Sequence, residues 1–226
     1  MIASYVWPGG TEPMLWSGPD ARVQVILIQP LFEEANRLRK TLVGVKRGLH
    51  ALGFGVTLPD FPGTGESMTA LHEKTLDDWR AALVSLVANR KSAQQSVILA
   101  SFRGGALIDT CVESDGVWRL APDTGARFLR DMSRTVSVRH NGLTNDEIYD
   151  HAGYPLPHDF ISDLEAAAPE LASKLRIARL VQDPNDADVR IAGAPLWRRS
   201  EPGEDPDLTQ AIIDDISFWA TQCATE

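Results

Sequence analysis

Val97-Ile98-Leu99-Ala100-Ser101-Phe102-Arg103-Gly104-Gly105-Ala106-Leu107 is the stretch that decides the fold. Its first four residues are uninterruptedly apolar and read as a buried strand. Small residues follow, and then a helix start. A strand that breaks into a helix through so tight a turn lifts one side chain to the tip and needs small residues on either side. The strand runs straight up to Ser101, so Ser101 and Gly105 are the outer positions and Arg103 is the tip. Aligning on the Gly104-Gly105 pair would put Phe102 there instead. Neither register offers a hydroxyl. A guanidinium has no lone pair to attack with and stays protonated. Ser101 lies two residues early and is expected to face the packing of the sheet.

The rest of the chain repeats this strand-and-helix alternation. Residues 4–16 read as a hairpin around Pro8-Gly9-Gly10. Residues 23–29 form a β-branched apolar run closed by Pro30, followed by a helix over 33–52 with Gly53 as its stop. A strand at 54–58 leads into Asp60-Phe61-Pro62-Gly63-Thr64-Gly65-Glu66-Ser67, which is loop. Helical spacing returns at 75–89, with Leu76, Trp79, Leu83 and Leu86 on one face. After residue 103 a helix is expected to run through Cys111. A short strand covers 116–121, a helix 128–133, strands 176–182 and 188–192, and a closing helix 207–220. This order predicts an α/β protein with a mostly parallel sheet flanked by helices. Sites in such sheets lie at the carboxyl ends of the strands. Residues 30–39, 60–67, 101–105 and 182–186 are therefore expected to gather on one rim.

These residues carry a resemblance. The segment from Asp60 to Ser67 is similar to the Asp-x-x-Gly-x-Gly-x-Ser loop of α/β-hydrolases, and the Arg103 turn to their Gly-x-Ser-x-Gly nucleophile elbow. Gln29-Pro30-Leu31-Phe32-Glu33-Glu34-Ala35-Asn36-Arg37-Leu38-Arg39 resembles the Pro-Pro-Phe-x-Glu-Glu-x-Asn-x-x-Arg segment of exosortase A system-associated hydrolase 2 proteins. Those sequences also carry arginine at the elbow. Trp118 to Arg130, Gly153-Tyr154-Pro155-Leu156 and Ala194-Pro195-Leu196-Trp197 are similar to the same family, so the resemblance covers most of the chain. It implies an α/β-hydrolase fold with an N-terminal hairpin, one domain over 1–226 and a small lid excursion at 135–173. It also implies an association with exopolysaccharide and protein-sorting systems. The family's activity is itself inferred from fold, so the word hydrolase carries little chemistry.

Composition narrows the partners. The chain has 226 residues and a formal charge of −9, which argues against nucleic acid. No apolar run is long enough to span a bilayer, and no secretory signal is visible. Cys111 and Cys223 make no disulfide framework, so a cytoplasmic protein with reduced thiols is the expectation. No cofactor and no metal is expected. The histidines and acids of the lid stretch (His140, His151 and His158 with Asp146, Asp150 and Asp159) fit no ligand spacing. Oligomeric state is not legible.

Ordinary serine-hydrolase chemistry needs a hydroxyl, a late histidine and an acid. The five histidines are His50, His72, His140, His151 and His158, and none follows the last two expected strands. Acid candidates exist at Asp183, Asp186 and Asp188. Two of three parts are thus missing. What remains is a turn with a backbone N–H at Gly104, a second donor from the Leu31–Phe32 loop, and the cationic fork of Arg103. Two readings stand. In one, Arg103, Gly104, Leu31, Phe32, Asn36 and Arg39 bind an anionic or saccharide-related molecule, or a partner protein. In the other, Arg103 pairs internally with Glu33 or Glu34 and plugs the site. A third, catalytic reading uses Glu33, Glu34, Ser101 or Arg103 itself, with the glutamates as acid and base for a glycosidic bond or Ser101 acting on an ester. Capping of the helix by Asn36, and pairing of the glutamates with Arg37 or Arg39, are the structural alternatives.

Overall fold

The computed structural model describes residues 1–90, 95–135, 148–151 and 153–225. Two antiparallel strands, β1 (Ile2–Trp7) and β2 (Gly10–Ser17), form the N-terminal hairpin. The parallel part comprises β3 (Val23–Ile28), β4 (Gly55–Pro59), β5 (Ser96–Phe102), β6 (Gly116–Leu120), β9 (Leu175–Leu180) and β10 (Val189–Ile191). Among the described residues the sheet runs β1-β2-β4-β3-β5-β6-β9-β10, with β2 joining β4 antiparallel. A small separate hairpin pairs β7 (Ile148–His151) with β8 (Tyr154–Pro157), and the sequence reading had no counterpart for it.

Alternation within the strands divides the core between the two faces of the sheet. Val25 and Leu27 of β3, with Ile98, Ala100 and Phe102 of β5, face α1 (Phe32–Ala51) and α5 (Pro206–Thr225). Ile26, Ile28, Val97 and Leu99 face α2 (Leu76–Arg90), α3 (Gly125–Thr135) and α4 (His158–Ala166). Phe160 and Leu164 of α4 are fully buried in that second core, so this part of the stretch expected as a lid packs on the main body. Residues 136–147 and 152 of that stretch, including His140 and Asp146, lie outside the described residues.

One expected element is absent. No α-helix runs through Cys111; a 3-10 turn, Arg103–Leu107, takes its place. Gly104-Gly105 is a poor helix start. Beyond the turn, Asp109 swings into the protein and binds Arg119 of β6 through two contacts of 2.6 and 2.9 Å, with both side chains all but inaccessible. That pull turns the chain towards β6. The other helices agree with the periodicity of the sequence, and Gly53, at φ +93°, ends α1 as its position suggested. The N-cap of α1 is Leu31, without a side-chain cap bond, so Asn36 lies inside the helix and does not cap it.

Candidate functional site

Arg103 has a left-handed backbone, φ +54°, directly after β5. This is an unfavourable conformation for a residue with a Cβ, by about 1–2 kcal/mol. The chain therefore makes a tight, strained turn out of β5 with arginine at its tip. Gly105 lets β3 approach: a Cβ there would stand 2.7 Å from the Gln29 carbonyl oxygen and 2.8 Å from that of Ile28. Leu31 packs against Gly104.

Among the described residues, two further non-glycine residues have positive φ, Phe32 at +49° and Ala121 at +44°. They follow β3 and β6, the strands on either side of β5. Strained backbone at three adjacent strand ends is the pattern of an organised site. The Ala121 carbonyl shows one use of that strain, because it accepts a hydrogen bond from Arg103 Nη1 at 2.9 Å.

The rest of the Arg103 guanidinium is held by carboxylates. Its Nε and Nη2 donate to Glu34 at 3.2 Å each, and Nη2 also donates to Asp123 at 3.3 Å. The Trp197 ring centroid is 5.0 Å from the guanidinium carbon, within cation–π range. Only 5% of Arg103 is exposed. Burial pushes the Glu34 carboxyl above its ordinary range, and the Arg103 charge only partly offsets this.

Glu33 does not touch Arg103. It accepts from Asn36 Nδ2 and from the Tyr154 hydroxyl, both at 3.2 Å, and lies 3.7 Å from Arg37. Adjacent residues at a helix start diverge, and here one glutamate serves the elbow while the other ties α1 to β8. Arg39 turns a different way, donating through Nη1 to Asp60 at 3.0 Å and to Gln29 at 3.3 Å.

The structure therefore divides the residues grouped on the sequence into two cavities. Glu33, Glu34 and Arg103 line a cleft of about 880 Å³, together with Arg37, Arg127, Arg130, Asp131, Trp197 and Arg198. Leu31, Phe32, Asn36 and Arg39 line a second cavity of about 390 Å³, between the exit of β3 and the 60–67 loop. Gly104 lines neither. A smaller space of about 90 Å³ joins Arg103 and Asp123 to Gln182 and Asp183, so the fourth expected loop does reach this rim.

The remaining candidates have other work. Ser101 is fully buried beside the Asp109 carboxylate and lines neither cavity. Asp183 pairs with Arg179 at 2.9 Å and accepts from the backbone N–H of Asn185. Burial works against its charge, yet those bonds hold its pKa below the ordinary value. Asp188 accepts from the Ile177 N–H. His50 sits against the Phe54 carbonyl and His158 is exposed at the start of α4. Among the described residues no three metal-ligating side chains gather, and no helix is long and apolar enough to cross a membrane.

Sequence reasoning missed Asp123, Arg127, Arg130 and Arg198. Three arginines on α3 and the chain after β10 surround the elbow, yet their spacing in sequence carries no signal. The buried Arg119–Asp109 pair did leave one: an arginine in the middle of the apolar run 117–120 needs a buried partner.

No family model matches the sequence, and no curated relative does. Solved structures do match along nearly the whole chain. A protein from Agrobacterium vitis S4 is 14% identical over 97% of this chain and 98% of its own, with a TM-score of 0.65. Est1E from Butyrivibrio proteoclasticus, solved with ferulic acid bound, is 14% identical over 97% and 99%, TM-score 0.62. Mouse alpha/beta hydrolase domain-containing protein 10 is 15% identical over 96% and 98%, TM-score 0.62. Strand order, the strained elbow and these likenesses agree: the chain has the α/β-hydrolase fold.

Proposed function

We propose that this protein does not perform serine hydrolysis and instead binds an anionic, sugar-related molecule in the arginine cleft. The observation that carries the reading is the elbow tip. It holds a buried arginine whose donors go to Glu34, Asp123 and the Ala121 carbonyl. The charge of Arg103 is already matched, so it acts as the anchor of the cleft and its neighbours take the ligand.

The cleft wall supports an anion. Although the chain carries −9, the described cleft residues include five arginines against Glu33, Glu34 and Asp131. Arg130 and Arg198 are exposed, and Arg127 is shared with Asp123 at 3.5 Å. Phe128 and Trp197 supply ring surface for a sugar face. An acidic saccharide or sugar phosphate has both features, and the resemblance to exosortase-associated proteins supports an exopolysaccharide setting. A cytoplasmic location belongs to the same reading, supported by two cysteines that form no disulfide with each other.

The test is thermal denaturation with glucose 1-phosphate, glucuronate and glucose. The two anions should raise the melting temperature and glucose should not. The shift should disappear in Arg130→Gln/Arg198→Gln. A double variant that responds like wild type defeats the proposal, as does a wild type that responds to neither anion.

A second reading rests on Glu34, whose raised pKa is what a general acid needs. Both of its oxygens are held by Arg103, which weighs against it. Turnover of p-nitrophenyl glycosides or esters that Glu34→Gln, Glu33→Gln or Ser101→Ala abolishes would replace the binding reading with an enzymatic one.

A further inference from the structure

We propose that the second cavity, between the exit of β3 and the 60–67 loop, is a separate site for a small aromatic monocarboxylate. Its volume of about 390 Å³ falls in the range of small-molecule sites. Its walls are fixed aromatic surface. Phe61 lies 6.0 Å and Phe32 5.8 Å from Trp79, centroid to centroid. The Trp79 indole cannot turn, because its Nε1 donates to the Pro62 carbonyl at 2.8 Å. Such walls accept a flat ring at little entropic cost.

Arg39 supplies the polar end. Its Nη1 is committed to Asp60 and Gln29, while Nε and Nη2 carry no bond among the described residues. The side chain is only 36% exposed. A fork held at one corner and open along its other edge is shaped for a carboxylate. Asp60 is 2% exposed and its second oxygen accepts from the Glu66 N–H at 3.2 Å, so this carboxylate stays in place. Gly65 makes that wrap possible: at φ +55°, a Cβ would stand 2.5 Å from Asp60 Cγ. The loop thus builds a socket that orients Arg39.

Charge and size limit the ligand. Asp60 already balances one positive charge, and Glu66 lines the mouth as a further acid. A dianion is disfavoured and a single carboxylate fits. The aromatic walls exclude a small polar acid such as acetate, which would leave them wet. This site shares none of its lining residues with the arginine cleft, so the two proposals stand or fall separately.

The experiment is calorimetric or NMR titration of the full chain with phenylacetate, 2-phenylethanol and acetate. Phenylacetate should saturate, with the other two at least about tenfold weaker, a difference of about 1.4 kcal/mol. Arg39→Lys keeps the charge beside Asp60 but removes the fork, and should weaken phenylacetate by a similar factor. Arg130→Gln/Arg198→Gln should bind phenylacetate as wild type does, even if it has lost sugar phosphate. Absence of saturation by about 10 mM overturns the proposal. So does equal binding of 2-phenylethanol, or of phenylacetate by Arg39→Lys. The ligand comparison on wild type decides the matter even if the lysine variant folds poorly.

Discussion

Arg103 ties α1 and the segment after β6 to the turn after β5 through one side chain. It sits where the turn demands strain, and two carboxylates from separate elements hold it there. Removing it strands Glu34 and Asp123, so Arg103→Met should lower unfolding free energy by about 3 kcal/mol in guanidinium titrations. Arg103→Ser should show no esterase activity with p-nitrophenyl acetate, because no late histidine supplies a base. Glu34 also sets a pH dependence. Its folded pKa is raised, so its contribution is complete below its ordinary value of 4.5 and is lost as pH rises through the folded value. Wild-type stability should therefore fall along that limb, and Glu34→Gln should flatten it. The sequence showed the arginine at the tip and both glutamates nearby. Which glutamate it takes depends on how α1 leaves β3, and that only the structure reveals.

At the scale of elements, polar clamps join what the hydrophobic pattern merely brings close. Arg119 and Asp109 link β6 to the chain leaving the elbow, and Arg176 and Trp118 both bind Asp215 to dock α5 on the sheet. Asp109→Ala leaves a buried guanidinium without its partner and should cost about 3–5 kcal/mol. The apolar pair Asp109→Leu/Arg119→Met should recover most of that in the same denaturant titration. Strands and helices were legible here because a period of two or of 3.6 is written into neighbouring residues. The helix expected through Cys111 failed because the competing interaction, with Arg119, comes from another strand. The hairpin β7–β8 was missed because its alternation is short and interrupted by prolines.

At the scale of the molecule, an excess of acid surrounds a rim rich in arginine. On the proposed reading, the −9 charge should repel an anion at long range and the five arginines of the cleft should attract it locally. Arg130 and Arg198 are exposed, and exposed charges more than about 8 Å apart are largely screened at physiological salt. The shift produced by glucose 1-phosphate should therefore shrink when salt is raised from about 20 to about 200 mM.

By itself, the sequence determined the alternation of the main-sheet strands with α1, α2 and α5, the tight turn after β5 and the cation at its tip. All of these follow from patterns within a few residues of one another. Tertiary structure decided the rest: that Arg103 is matched by Glu34 and Asp123, that Arg39 belongs to a different cavity, and that α3 and the chain after β10 bring arginines to the rim. The physical reason is distance along the chain. Arg103 and Glu34 are 69 residues apart, and a buried charge selects whichever partner folding brings within hydrogen-bond reach.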